Sequence, residues 1–478
     1  MIFFGLSDIQ TVDNIVLQWD TWGSMLASVQ VDKIGQECMA AGYFYLYKNV
    51  LPVGFLGLVD DTVGITEAGY QAQQLNAFIN VKTAEKTLQF GAKKCMSMLI
   101  GKNTENVMNN QLHVDNWIVT HEENDNTGEL DLNESYGGKI PIAKTEEYTY
   151  LGFVISSKGD NMANIRHVKN KSIGVIRKIF DKLSSLNLKQ YYFECAMLLM
   201  NVMLRGSILY ASDMYYNIKE HEMRQIERIE EGYLRKIFKT TKGCPIVQLY
   251  LAVGQYPARF EIQKLRLLYL KYILEQSDDS ILRKTLQLQL ENPCRGDWGS
   301  TCLNDLKELD ITLTLHEIRT ITKSKFSSIL KEQIRRFALI YLIGKQGKKG
   351  REMKYDSLEM SEYLQPINDE LSIEQKREMF SVKNRMIDIP YNFPRKNMHN
   401  ICVCGETEDM SHIYNCEMLN IDEPNLSYET IYTGNMKQQI EVYKIFKQNL
   451  DKREFIKSEI ETPCDPDEIR CKSVMDNK

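Results

Sequence analysis

From Met162 onward, apolar positions step by three or four through Ile165, Val168, Ser172, Val175, Ile179 and Leu183. Arg166, His167, Lys169, Lys171, Arg177, Lys178 and Lys182 take the other faces. That period predicts an amphipathic helix. Met223, Ile226, Ile229, Tyr233 and Ile237 repeat it in a second helix. Its last turn carries Arg235, Lys236 and Lys239, where the helix dipole favours cations. Helical periodicity continues through LRLLYLKYILEQ, pauses at the turn NPCRGDWGS and resumes to about Leu342.

The pattern before Met162 is different. Residues 1–102 mix short apolar runs with a helical stretch, Thr66 to Gln74, that Thr66 and Glu67 can start. Residues 103–147 are polar, acidic and rich in turn formers, which reads as a surface insertion with one hairpin. YTYLGFVISSKGDN then alternates and is expected to turn at Lys158-Gly159-Asp160. This hairpin and the basic helices make up 148–250, and a helical connector fills 251–343. A basic linker and helix span 344–375, where GKQGKKGREMK has nothing to bury. A basic and aromatic segment with clustered cysteines covers 376–420, and 421–478 reads as a tail. The expected fold class is therefore α+β and predominantly helical.

A chain of 478 residues implies roughly two to four domains. Hydrophobic residues at 43% and charged ones at 26% fit an ordered globular chain. No apolar run is long enough to span a membrane, and MIFFGLSD lacks the basic start of a signal peptide. Eleven cysteines without framework spacing fit free thiols plus one clustered site. The expected setting is intracellular, nucleus or cytoplasm, and not secreted.

A net charge of −5 gives no global pull toward nucleic acid. Lys158 to Lys242, however, holds 16 Lys plus Arg against 9 Asp plus Glu, a local net of +7. Two readings stay open on pattern alone: ordinary helices with solvated faces, or a surface that neutralises phosphates.

Near the end stands ICVCGETEDMSHIYNC. Cys402, Cys404, His412 and Cys416 supply three thiolates and one imidazole, the donor set of a structural Zn2+ site. Two ligands come from a tight turn at Gly405, and two lie four apart on one helical face. Cys464 and Cys471 lie close in sequence but match no recognisable spacing. Just upstream, Lys383, Arg385, Arg395 and Lys396 interleave with Phe380, Tyr391 and Phe393. Cations contact phosphates and aromatic rings stack on bases, so this mix suits structured or single-stranded nucleic acid.

GLVDDTVGIT, residues 57–66, puts Asp60 and Asp61 between an apolar run and a return segment. Paired acids at a hairpin tip are either a solvated turn or a mount for Mg2+ in two-metal nucleotidyl transfer. Upstream, Gly23 and Ser24 would let backbone approach a nucleotide closely. Downstream, Lys93 or Lys94 can protonate a departing pyrophosphate.

The order of these pieces resembles the reverse transcriptase of non-LTR (LINE-like) retrotransposons, with TWGSMLAS, LVDD, FGAKKC and YLGFVIS following in sequence. The resemblance covers roughly the whole chain. It implies a partial right-hand polymerase palm with an antiparallel hairpin, a helical thumb and connector, and a small C-terminal CCHC zinc knuckle. LMNVMLRGSILYAS resembles a further region of these elements. The implied activity is RNA-directed DNA polymerisation, with RNA template and DNA primer as partners and no membrane. Residue by residue, the resemblance makes Asp60 and Asp61 the Mg2+ pair, Lys94 the general acid, and Gly23 and Ser24 the nucleotide-site loop. Tyr150, Leu151 and Gly152 become the primer grip, and Cys402, Cys404, His412 and Cys416 the Zn2+ ligands. Arg166, Lys169, Lys171, Arg177, Lys178, Lys383 and Arg385 are then the cations expected on nucleic acid.

Three positions depart from the family pattern. Leu58 stands where Phe or Tyr is usual, and Ala27-Ser28 where Ser-Pro is usual. Asp8, Asp13 and Asp20 lie too close to Gly23 to serve as the first catalytic aspartate. The sequence is therefore expected to start inside the palm, without fingers, first metal carboxylate or endonuclease. Three readings follow: a polymerase by descent with little activity of its own, a nucleic-acid-binding module without catalysis, or a helical scaffold.

Overall fold

Turn chemistry and helical period divide the work between strands and helices, as the computed structural model shows. It describes residues 21–58, 61–85, 95–100, 112–123, 130–240, 243–294, 296–345, 357–387, 392, 401–420 and 424–461. Two compact units form. One comprises residues 1–168, 214–222 and 269–304, and the other residues 169–213, 223–268 and 305–478.

The chain opens with α1 (Thr21–Ala40), then β1 (Tyr45–Tyr47), β2 (Leu51–Val53), β3 (Phe55–Leu58), β4 (Asp61–Gly64) and α2 (Gly69–Ala84). α2 begins three residues after the expected start at Thr66. Ile34, Cys38 and Leu75 form a small core there with Tyr43, Phe55, Phe78 and Ile79 packed against it. After β5 (Met96–Ser97), the acidic insertion holds the expected hairpin as β6 (His113–Glu123) and β7 (Leu130–Pro141). β8 (Ala143–Lys144) pairs in parallel with β5. Among the described residues the strands pair only two by two, and four of the five pairings are antiparallel.

β9 (Glu147–Tyr150) and β10 (Phe153–Ser156) pair with Tyr150 opposite Phe153. The turn is therefore Leu151-Gly152, not the expected Lys158-Gly159-Asp160. Both turn residues have positive φ, 49° and 80°, the backbone of a primed turn whose twist matches a hairpin. Gly152 adopts it without strain, and Leu151 is not a residue that advertises a turn. Lys158-Gly159-Asp160 instead leads into α3 (Met162–Ser185), where Asp160 Oδ1 accepts from the Met162 amide at 3.1 Å.

On α3, Ile165, Val168, Ser172, Ile179 and Leu183 are buried as their spacing predicts. α4 (Tyr192–Leu199) runs into a π-helical turn, Met200–Leu204, and α5 (Arg205–Ile208). α6 (Glu220–Phe238) buries Met223, Ile226, Tyr233 and Ile237 and packs Tyr233 against Phe180. Each such side chain contributes about 1.5–3 kcal/mol of apolar transfer.

α6 also turns acids inward. Glu230 is fully buried and accepts from Arg205 Nε at 2.8 Å, Tyr250 at 3.0 Å and the Ala258 amide at 2.8 Å. α7 (Ile246–Ala252), α8 (Ala258–Glu275), α9 (Ile281–Glu291), α10 (Trp298–Glu308), α11 (Leu315–Thr320) and α12 (Lys323–Gly344) follow as the expected connector. α13 (Ile373–Lys383) packs Phe380 on Phe238. α14 (Met410–Asn415), α15 (Thr430–Thr433) and α16 (Met436–Glu461) end the described chain. Residues 421–478, expected as a tail, thus contain a 26-residue helix. The fold is mostly helical with small antiparallel hairpins. None of its described helices is long and apolar enough to cross a membrane.

Candidate metal centre and basic face

The metal centre is built from a turn and one short helix. Ile401 bridges Thr407, the Cys402 amide donates to the Glu406 carbonyl at 2.8 Å, and the Gly405 amide donates to the Cys402 carbonyl at 2.9 Å. Gly405 has φ of 94°, a conformation that suits glycine. The turn presents Cys402 and Cys404 together. Asp409 then caps α14, its Oδ1 accepting from the His412 amide at 2.7 Å. This fixes His412 in the first turn, and Cys416 follows as the residue that ends the helix.

The four ligand atoms all lie within 4.8 Å of one another. Cys402 Sγ and Cys416 Sγ are 3.7 Å apart, and Cys404 Sγ is 3.2 Å from His412 Nε2. With Zn–S near 2.3 Å, the sulfur–sulfur edge of a zinc tetrahedron is about 3.8 Å. The donor set and the spacing fit one Zn2+. His412 Nδ1 faces Glu406 Oε2 at 3.3 Å, which aims Nε2 at the cysteines. Burial, with Cys402 and Cys404 adding to it, pushes the Cys416 thiol up to about 12, so a cation is what makes it a thiolate near neutral pH. All four positions are protein groups, so the arrangement holds structure and leaves none for substrate.

Sequence reasoning missed the support behind this cluster. Glu408, wholly buried, is held by Arg453 and Lys457 of α16. Asn449 donates to the carbonyls of Ile413 and Tyr414, both at 3.0 Å. These residues lie more than thirty positions from the turn, and their period on α16 looks like any polar helix face.

The basic face is concentrated on α3. Arg166, Lys169, Lys171, Arg177, Lys178 and Lys182 are all exposed, beside the single acid Asp181. Arg166 pairs with Glu147. Lys169, Lys171, Arg177, Lys178 and Lys182 have no carboxylate partner among the described residues, and Lys171 lies 6.0 Å from the Tyr210 ring centre. The cations at the end of α6 are engaged instead: Arg235 with Glu231, Lys236 over Phe180 at 4.1 Å, and Lys239, just past the helix, with Glu374. Among the described residues, much of the local charge excess thus stays exposed on α3.

Other expected site residues fare differently. Gly23 and Ser24, expected in a loop, lie inside α1. They stand in the first turn of a helix and not in the expected loop, although the first amides of a helix have no partner within it. Asp61 opens β4 with Leu58 opposite it. Asp60 and Lys94 lie outside the described residues, as do Tyr391, Phe393, Arg395 and Lys396. Tyr150, Leu151 and Gly152 form a hairpin tip. Lys383, expected on nucleic acid, is instead buried: its ammonium donates to Gln439 Oε1 at 2.7 Å and sits 5.1 Å from the Tyr363 ring centre. Burial pulls it down to about 8, with Glu362 opposing. Its apolar neighbours on α13 carry it inward. Arg385 lies at the rim of a cleft beside the metal cluster. None of the described cysteines forms a disulfide.

No family model, curated protein or solved structure matches this chain.

Proposed function

We propose that this chain binds nucleic acid, as the thumb and zinc-binding part of a non-LTR retrotransposon reverse transcriptase whose intact form carries out RNA-directed DNA synthesis. The observation that supports it most is the exposed row of Lys169, Lys171, Arg177, Lys178 and Lys182 on α3, which have no carboxylate partner among the described residues. His167, Lys171, Lys178 and Lys182 lie on one stripe at helical spacing, a length of about 16 Å from Lys171 to Lys182. Such a stripe neutralises successive phosphates and releases their counterions. The zinc centre holds the C-terminal module in one shape and does no chemistry of its own.

The test is binding of the full chain to an RNA–DNA hybrid and to single-stranded RNA across a salt titration. Affinity should fall steeply and linearly on a logarithmic salt axis. Binding that ignores salt, or no binding at low salt, would overturn the proposal.

Catalysis by the chain itself is a second reading, favoured by one observation: β3 and β4 pair up to Leu58 and Asp61, which places Asp61 at the end of a paired strand. Its test is primer extension on an RNA template with Mg2+ or Mn2+. Extension that vanishes in Asp60→Asn would establish it, and the absence of extension leaves binding alone.

A further inference from the structure

The metal turn is open on one side. Cys402 and Cys416 are buried, 4% and 2% exposed, whereas Cys404 is half-buried and leads into the exposed run Gly405, Glu406 and Thr407. Nothing lies within 4 Å of where a side chain on Gly405 would begin. A small solute in the solvent therefore meets the Cys404 sulfur before the other two.

The sulfurs are also close enough to react with one another. All three lie within 4.8 Å of each other, and a disulfide needs about 2.05 Å, so a small movement of the turn closes a bridge. Gly405, with φ of 94°, stands next to Cys404 as the place where the turn can adjust. Cys402 is separated from Cys404 by one residue of the same turn, and a bridge across a single residue distorts both. Cys416 comes from the end of α14 and is the partner that Cys404 can bridge between turn and helix.

The frame around the cluster does not depend on sulfur. Glu408 is held by Arg453 and Lys457, and Asn449 donates to the carbonyls of Ile413 and Tyr414. The turn, α14 and α16 thus keep their own links when the ligands change partners.

Zinc holds its cysteines as thiolates, and the thiolate is the form that peroxides oxidise. We propose that this cluster is a peroxide-sensitive site, in which hydrogen peroxide oxidises Cys404 and Cys416 then closes a disulfide onto it, releasing the metal. The inference rests on the zinc reading of the cluster and is independent of nucleic-acid binding.

In the first step the Cys404 thiolate attacks a peroxide oxygen: an S–O bond forms, the O–O bond breaks and hydroxide leaves. In the second, the Cys416 thiolate attacks the sulfur of the resulting sulfenic acid, an S–S bond forms, the S–O bond breaks and a second hydroxide leaves. Two thiolates lose two electrons, and peroxide takes them up with two protons from the buffer to become two waters. Cys402 and His412 remain, too few donors to hold the ion. A thiol reductant reverses the bridge by exchange and restores the four donors.

The test treats the full, zinc-loaded chain with an equimolar amount of hydrogen peroxide beside a chromophoric chelator, read against an untreated sample. The chain is then alkylated and its bridges are mapped by mass spectrometry. One zinc should be released for each Cys404–Cys416 bridge formed, and dithiothreitol with added zinc should restore the starting state. Dimedone, which adds to sulfenic acids, should mark Cys404 and suppress the bridge. Cys416→Ser should leave Cys404 oxidised but unbridged, whereas Cys402→Ser should still form the bridge. Zinc retained in full after peroxide, or a bridge that omits Cys404, would overturn the proposal. So would dimedone on Cys294, an exposed cysteine outside the cluster, in place of Cys404. A chain that carries no zinc as purified would instead refute the zinc reading on which the proposal rests.

Discussion

Arg453 Nε donates to Glu408 Oε2 at 2.7 Å, and the two side chains are 4% and 0% exposed. This pair ties the last long helix to the turn that carries two metal ligands. Breaking a buried pair from one side leaves an uncompensated charge, which costs about 3–5 kcal/mol.

Glu408→Ala should therefore lower the unfolding free energy of the C-terminal module by roughly that amount. Arg453→Met placed on top should restore part of it, because the stranded cation is removed. Denaturant melts of the single and double variants check this, and independent, additive losses would show that the two residues do not act as a pair.

Purified without added metal, the chain should carry one zinc, and Cys404→Ser should carry far less. Chelation should loosen α16, seen as faster amide exchange at Asn449 and Arg453. Because thiols must lose protons to bind, apparent zinc affinity should fall as pH falls. Metal analysis and a competitive chelator titration at several pH values read both effects.

Lys383 supplies the pH dependence. Its folded state favours the neutral amine, down to about 8, while the unfolded side chain holds its proton to about 10.4. Between these values the unfolded side chain binds more protons, so the contribution of Lys383 to stability should rise with pH from about 8 to 10 and stay flat below 8. The full rise is at most about 3 kcal/mol. Lys383→Met should abolish it, as urea melts of both proteins at three pH values will show.

Reversing Lys171, Lys178 and Lys182 to Glu should weaken nucleic-acid binding and flatten its salt slope by about 2–3. Lys236→Glu should alter that slope much less, since its ammonium already sits over Phe180. Salt titrations of the two proteins against the native chain separate these outcomes.

Much of this was legible before folding. The period of Ile165, Val168, Ile179 and Leu183 placed α3 and its buried face, and Cys402, Cys404, His412 and Cys416 came together as their spacing required. Both are local signals, carried within a few turns of chain. The β9–β10 turn was misplaced because Gly159 announces a turn more loudly than Leu151; the chain does turn there, the Gly159 amide donating to the Ser156 carbonyl at 3.0 Å, but the strands pair across Leu151-Gly152. Gly23 and Ser24 were read as a loop because small residues permit one, yet the segment around them is helical.

The sequence by itself determined the helical period, the donor set of the metal cluster and a local excess of positive charge. Only the tertiary structure decided where that charge is free. Lys383 looked like a contact for phosphate and is buried against Tyr363 and Gln439, whereas Lys171 and Lys178 remain at the surface. Glu408 looked like one acid among many and became the anchor of α16 through Arg453, 45 residues on. The reason is physical: a charge's role depends on its solvent exposure and its partners, and distant segments of the chain supply both.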